Sequence, residues 1–168
     1  MFAQAVCGLD YFSSDVKAQL YSLVKRTTEP RCGQVGQDKA DAAQGGWFAT
    51  KDTRQAMSDW STQLSLIHNN IDPGFGVLAV AGKVSSPMMF VFKTTSSGHI
   101  NREPSEVKAD GSVYCYQNEP QPQNSYVQGN GSGKILIELD NNKLLKVEYL
   151  SGKCSNSETL ASSTSYYR

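Results

Sequence analysis

Apolar residues return at helical spacing early in the chain. Val16, Leu20, Leu23 and Val24 follow Ser13-Ser14-Asp15, which can cap a helix running to Lys25-Arg26. Thr27 to Gly46 contains Pro30 and several glycines and reads as a long surface loop. It ends at Trp47 and Phe48, two aromatics expected to enter the core. Asp52-Thr53 then predicts a second helix, with Met57, Trp60, Leu64 and Ile67 on one face and a stop at Asn69-Asn70 and Asp72-Pro73-Gly74. Beyond that point the pattern turns to strands. Phe75 to Val80 and Met88 to Phe92 are short apolar runs, and Ser112 to Tyr116 alternates. Ile135 to Leu139 and Leu144 to Leu150 form a hairpin around Asp140-Asn141-Asn142. Asn118 to Gly133, with Pro120 and Pro122, is polar and reads as a loop. The sum predicts an α+β fold: two helices followed by an antiparallel sheet of about five strands.

Composition narrows the class. The chain has 168 residues, enough for one domain with a real core. Sixteen basic and sixteen acidic side chains cancel, so no global field draws it toward nucleic acid or an anionic membrane. No apolar run is long enough to span a bilayer, and no membrane partner is expected. Cys7, Cys32, Cys115 and Cys154 form no CxxC pair and no Cys/His cluster with His68 or His99, which argues against a metal site. Their even number points to two disulfides and an oxidising compartment. Ala3-Gln4-Ala5 has the small-residue pattern cut by signal peptidase. Residues 1–5 are therefore read as a remnant of a signal peptide or of cloning, and the protein as secreted.

Three segments resemble the secreted guanyl-specific ribonucleases of fungi. They are Cys7-Gly8-Leu9-Asp10-Tyr11-Phe12-Ser13-Ser14-Asp15-Val16, then the Gly-rich stretch from Tyr126 to Leu136, then the turn and strand from Asn141 to Gly152. The resemblance implies a single disulfide-stapled, ribonuclease-like domain over 6–168, with an inserted segment at about 30–92. It also implies a bond between Cys7 and Cys154, leaving Cys32 for Cys115.

The family's catalytic set maps poorly onto this chain. Its first His can fall on His99. Its Glu falls on Gln117, or on Glu119 in a shifted register, and its Arg on Lys134. Its general acid falls on Leu150, which has no proton to give, and one missing acid typically costs about 10²–10⁴-fold. The resemblance therefore points to ribonuclease-like secreted effectors of plant-infecting fungi that have lost the catalytic set. Such a protein would be delivered into host cells and would bind a host protein, such as an immune receptor, or RNA. It is expected to be monomeric, without cofactor. Lys134, Tyr116 and Tyr126 are the RNA-binding candidates. Plainer roles compete: a surface histidine for His99, a solvated lysine face on the hairpin, ordinary packing for the tyrosines, core for Trp47 and Trp60.

Two alternatives stand beside the effector. One is an active endoribonuclease using His99, Glu119 and Lys134. The other is a pilin-like surface subunit, for which a Cys115–Cys154 clamp would be the mark.

Overall fold

The computed structural model describes residues 7–34, 36–121 and 128–168. Eight strands form one antiparallel sheet: β1 (Gly45–Phe48), β2 (Gln63–His68), β3 (Phe75–Val80), β4 (Met88–Lys93), β5 (Tyr114–Gln117), β6 (Lys134–Asn141), β7 (Leu144–Leu150) and β8 (Thr164–Tyr167). Their order is β4-β3-β2-β1-β8-β7-β6-β5. Six of the seven pairings join strands consecutive in sequence, and the seventh sets β1 beside β8 at the pair Phe48–Tyr167. The sheet therefore curls round until its two edges, β4 and β5, face each other. This is a nearly closed up-and-down barrel, not two helices and a five-stranded ribonuclease-like sheet.

Alternation along the strands decides what fills it. On β6, Ile135, Ile137 and Leu139 point inward, while Lys134, Glu138 and Asp140 lie on the other face. The inward set continues with Trp47, Leu64, Leu66, Leu78, Phe90, Phe92, Tyr116 and Tyr166, all essentially removed from water. Eight strands enclose a space that side chains can fill, and here they fill it. The Tyr166 hydroxyl has no hydrogen-bond partner among the described residues, and burial pushes its pKa up to about 12.

The edges of β4 and β5 are joined by side chains. Successive outward N–H groups of β4, on Met89, Val91 and Lys93, donate to Asn130 Oδ1 (2.7 Å), Asn118 Oδ1 (2.9 Å) and Glu119 Oε2 (3.0 Å). The Glu119 and Gly131 N–H groups donate back to Val91 O and Met89 O. Inside, the rings of Phe92 and Tyr116 meet across the same seam at 5.0 Å. An unpaired strand edge, ordinarily a site of aggregation, is thus satisfied within the chain.

The second helix of the sequence reading is mostly strand. α2 covers only Thr53–Ser58, capped by the Asp52 carboxylate, which accepts from Arg54 N and Gln55 N; the helix of the first segment, α1, is Ser14–Leu23. Asp59 then accepts from Ser61 N, starting a separate 3-10 turn at Trp60–Thr62, and Gln63–His68 continues as β2. Leu64 and Ile67 fit helical spacing with Trp60 on paper, but the buried Leu64 and Leu66 alternate with Gln63 and Ser65, and the barrel uses the period of two. The stretch read as an insertion, about 30–92, supplies β1 to β4, half of the barrel.

The disulfides also differ from the pairing that the resemblance implied. Cys7 bonds Cys32, and Cys115 bonds Cys154. The first pair staples α1, which has no buried residue, to the loop before β1. The second fastens residues 151–163 across the outer face of β5–β7, where Cys115 and Leu136 are fully buried. This second pair is the clamp named for a pilin-like subunit, but here it secures an outer strap on a sheet that closes on itself.

Candidate functional site

The register of the sheet assembles part of the predicted catalytic row and then covers it. Gln117 pairs with Lys134, and Lys134 with Leu150, so these three positions form one cross-strand row on the outer face. The strap lies over that row. Gln117 Oε1 accepts the Cys154 N–H at 2.8 Å, and Lys134 Nζ donates to Glu158 Oε1 at 2.6 Å. Glu148, one step away, accepts the Ala161 N–H at 2.7 Å. Both polar side chains of the row hold the strap.

Glu119 and Tyr116 are engaged as well. Glu119 bridges the seam, accepting from Lys93 N on one oxygen and from Asn101 Nδ2 (2.8 Å) on the other. Tyr116 is fully buried, with its hydroxyl donating to Arg102 O at 2.8 Å, so it offers no ring face to a base. His99 is exposed, its ring 5.1 Å from that of Tyr114. Tyr126 lies outside the described residues. The structure gives Glu119 and Lys134 separate structural tasks and leaves His99 exposed.

Comparison with known protein families, characterised proteins and solved structures finds no match.

One further histidine has a carboxylate partner. His68 Nε2 lies 3.0 Å from Glu103 Oε1, and its Nδ1 lies 2.9 Å from the Pro73 carbonyl oxygen. Burial works to raise the Glu103 pKa, but the charge of His68 and the Ser105 N–H outweigh it and hold the carboxyl below its ordinary range. Both ring nitrogens are occupied, so the pair ties β2 to the 3-10 turn at Pro104–Glu106 rather than presenting a free base. Among the described residues no cluster of His, Cys, Asp or Glu could hold a metal ion.

What remains open is a groove of about 430 Å³ on the outer face of β2–β4. Its floor is the cross-strand row Ser65–Ala79–Met89, in which the two smallest side chains leave a depression. Trp60 and Gln63 stand on one side, and Gln128 and Asn130 on the other. None of the described residues that line it carries a charge.

Trp60 is the exceptional member. It is 62% exposed, whereas Trp47 is fully buried with its indole N–H donating to Ala43 O at 2.8 Å. Yet the Trp60 backbone is firmly held. Asp59 Oδ1 accepts from Ser61 N (3.0 Å) and Ser61 Oγ (2.6 Å), and the buried Thr62 returns its N–H and hydroxyl to Asp59 O. The Ser61 hydroxyl, working against burial, also holds the Asp59 carboxyl below its usual range, so the cap stays ionised. A large apolar ring is kept in water on a rigid mount. The sequence signal was the Asp59-Trp60-Ser61-Thr62 stretch, which reads as a capping turn only once the helix is known to stop before it.

A second cleft, between α1 and Glu29–Cys32, is lined by charged groups such as Asp10, Lys17 and Arg31. Lys17 pairs with Asp10, and Arg31 donates one guanidinium N–H to Tyr21 O.

Proposed function

We propose that this chain is a secreted, non-catalytic binding protein whose working surface is the groove beside Trp60. The observation that carries this is the exposed indole on a fixed turn, beside a depression of the size small ligands fill. Gln117 and Lys134 hold the strap and Glu119 holds the seam, which supports a structural rather than an acid–base role for them, while His99 stands exposed beside Tyr114. Two disulfides support an oxidising compartment, in keeping with the Ala3-Gln4-Ala5 pattern. The effector role came with a ribonuclease-like fold that this chain does not have, so the proposal rests on the groove alone.

Two measurements test it. Incubation with single-stranded RNA is expected to give no cleavage, and cleavage abolished by His99→Ala would overturn the non-catalytic reading. A library of small neutral fragments, followed through the two indole N–H resonances, should give hits that move Trp60 and leave Trp47 in place. Hits that all lie elsewhere, or no hits at all, would remove the groove as the working surface.

A further inference from the structure

The groove's chemistry is specific enough to name a ligand class. We infer that it binds a neutral glycan, with a pyranose ring stacked on Trp60 and its hydroxyls read by Gln63, Ser65 and Asn130. This rests on the groove being the working surface, as proposed above, and goes beyond it by naming what the groove takes.

Charge comes first. The lining combines an indole, aliphatic and thioether surface, and the side chains of Gln63, Ser65, Gln128 and Asn130, with no ionisable group among the described members. An anion or cation entering it would lose hydration without finding a counter-charge, which disfavours nucleotides, phosphopeptides and acidic lipids. A fully apolar ligand would instead strand the amides and the hydroxyl against it, leaving polar groups unpaired.

The polar groups are also complementary in kind. Gln63 places one Nε2 hydrogen weakly on Ala56 O at 3.5 Å, so its carbonyl oxygen and second N–H are what it offers. Asn130 has the opposite commitment: its Oδ1 takes the Met89 N–H at 2.7 Å, so its NH2 is what it offers. Ser65 supplies a hydroxyl that can donate or accept. Acceptor, donor and hydroxyl around a flat apolar ring match adjacent sugar hydroxyls, each of which donates and accepts, above the apolar C–H face of a pyranose.

The geometry favours a stacked ring over an inserted side chain. Ser65 and Ala79 make a shallow floor rather than a deep socket, and Trp60 rises beside it as a wall. The hydrogen-bonded turn beneath Trp60 means that little backbone ordering entropy is lost on binding.

The experiment titrates the oxidised, full-length protein with short neutral oligosaccharides: β-linked glucose oligomers, N-acetylglucosamine oligomers and mannose oligomers. Trp60 emission is the signal, and a proline decapeptide and a short single-stranded RNA serve as comparators. At least one oligosaccharide series should give a saturable blue shift. Measured by titration calorimetry, which needs no indole, Trp60→Ala should weaken that binding at least tenfold with an unchanged melting temperature, while Trp60→Tyr, which keeps a flat ring, should lose less. Saturation by the proline peptide or the RNA but by no sugar would overturn the glycan assignment. Silence from every sugar series would also overturn it, and the fragment screen then shows whether the groove itself has failed.

Discussion

The side-chain oxygen of Asn118 accepts the backbone N–H of Val91 at 2.9 Å, in the place where a ninth strand would otherwise have to pair. Its Nδ2 donates to Gly129 O at 3.1 Å, so one amide joins the edge of β4 to the chain that follows β5. Asn118→Ala would leave both backbone groups without a partner. A loss of about 1–3 kcal/mol is expected, since an unsatisfied buried group costs more than a hydrogen bond returns. Chemical denaturation measures the loss, and hydrogen exchange at Val91 should accelerate in parallel. Unchanged exchange at Val91 would show that the seam is closed by something else.

The interior of the seam predicts a second effect. Phe92 packs its ring over Gly76, its cross-strand partner on β3, and a Cβ on Gly76 would lie 2.4 Å from that ring. Gly76→Ala must therefore displace the Phe92 ring, which packs on Tyr116. Overpacking of this kind costs about 1–3 kcal/mol. The same substitution at Gly98, where nothing lies within 4 Å but φ is +74°, involves backbone strain alone and serves as the contrast. Thermal melts of the two variants compare them.

The two disulfides should contribute unequally. On the chain-entropy model the Cys115–Cys154 link, 39 residues apart, contributes about 4 kcal/mol, because it restrains chain that belongs to the barrel wall and its strap. Cys7–Cys32 restrains α1, which has no buried residue, so its loss frees a segment the barrel does not need. The Cys115→Ala/Cys154→Ala protein should melt far earlier, and the Cys7→Ala/Cys32→Ala protein close to the wild type. Equal losses would mean that α1 is integral to the barrel.

Acid should loosen the strap. The hydrogen bond from Lys134 holds the Glu158 carboxyl below its ordinary value of 4.5, against the opposing effect of burial and with help from Ser155. A carboxylate whose folded pKa is depressed stabilises the fold above the unfolded value, and that stability is lost as pH falls through the lowered one. Glu103, depressed beside His68, acts with the same sign. Stability measured across acidic pH should therefore fall below about 4.5, and Glu158→Gln should flatten part of that slope. An identical slope in the variant would remove Glu158 from the acid response.

Much of the barrel's wall was legible in the sequence, and its closure was not. Phe75–Val80 and Leu144–Leu150 are strands at the limits their apolar runs suggest, because buried strands announce themselves by composition. β8 escaped because Thr164-Ser165-Tyr166-Tyr167 is short and polar, and only Tyr166 is fully buried. The seam escaped for a different reason. Asn118, Glu119 and Asn130 are loop residues by every local measure, and their acceptors matter only once a bare strand edge lies opposite. The groove was hidden by the misread helix: with Trp60 placed on an apolar helical face beside Leu64, it looked like core. The spacing of Gln117, Lys134 and Leu150 did carry information, since the sheet sets them in one row, but it was information about register rather than catalysis.

The strand order has a kinetic consequence as well. β1 to β4 and β5 to β8 are each a run of hairpins between consecutive strands, the kind of local contact that forms quickly. Among the described residues two strand closures join these runs: the Phe48–Tyr167 rung, braced by Arg168 reaching Lys39 O, Ala42 O and Gln44 O, and the amide-bridged gap opposite. The protein is in that sense a bivalve of two meandering shells, whose hinge is a backbone rung and whose clasp is a row of side chains.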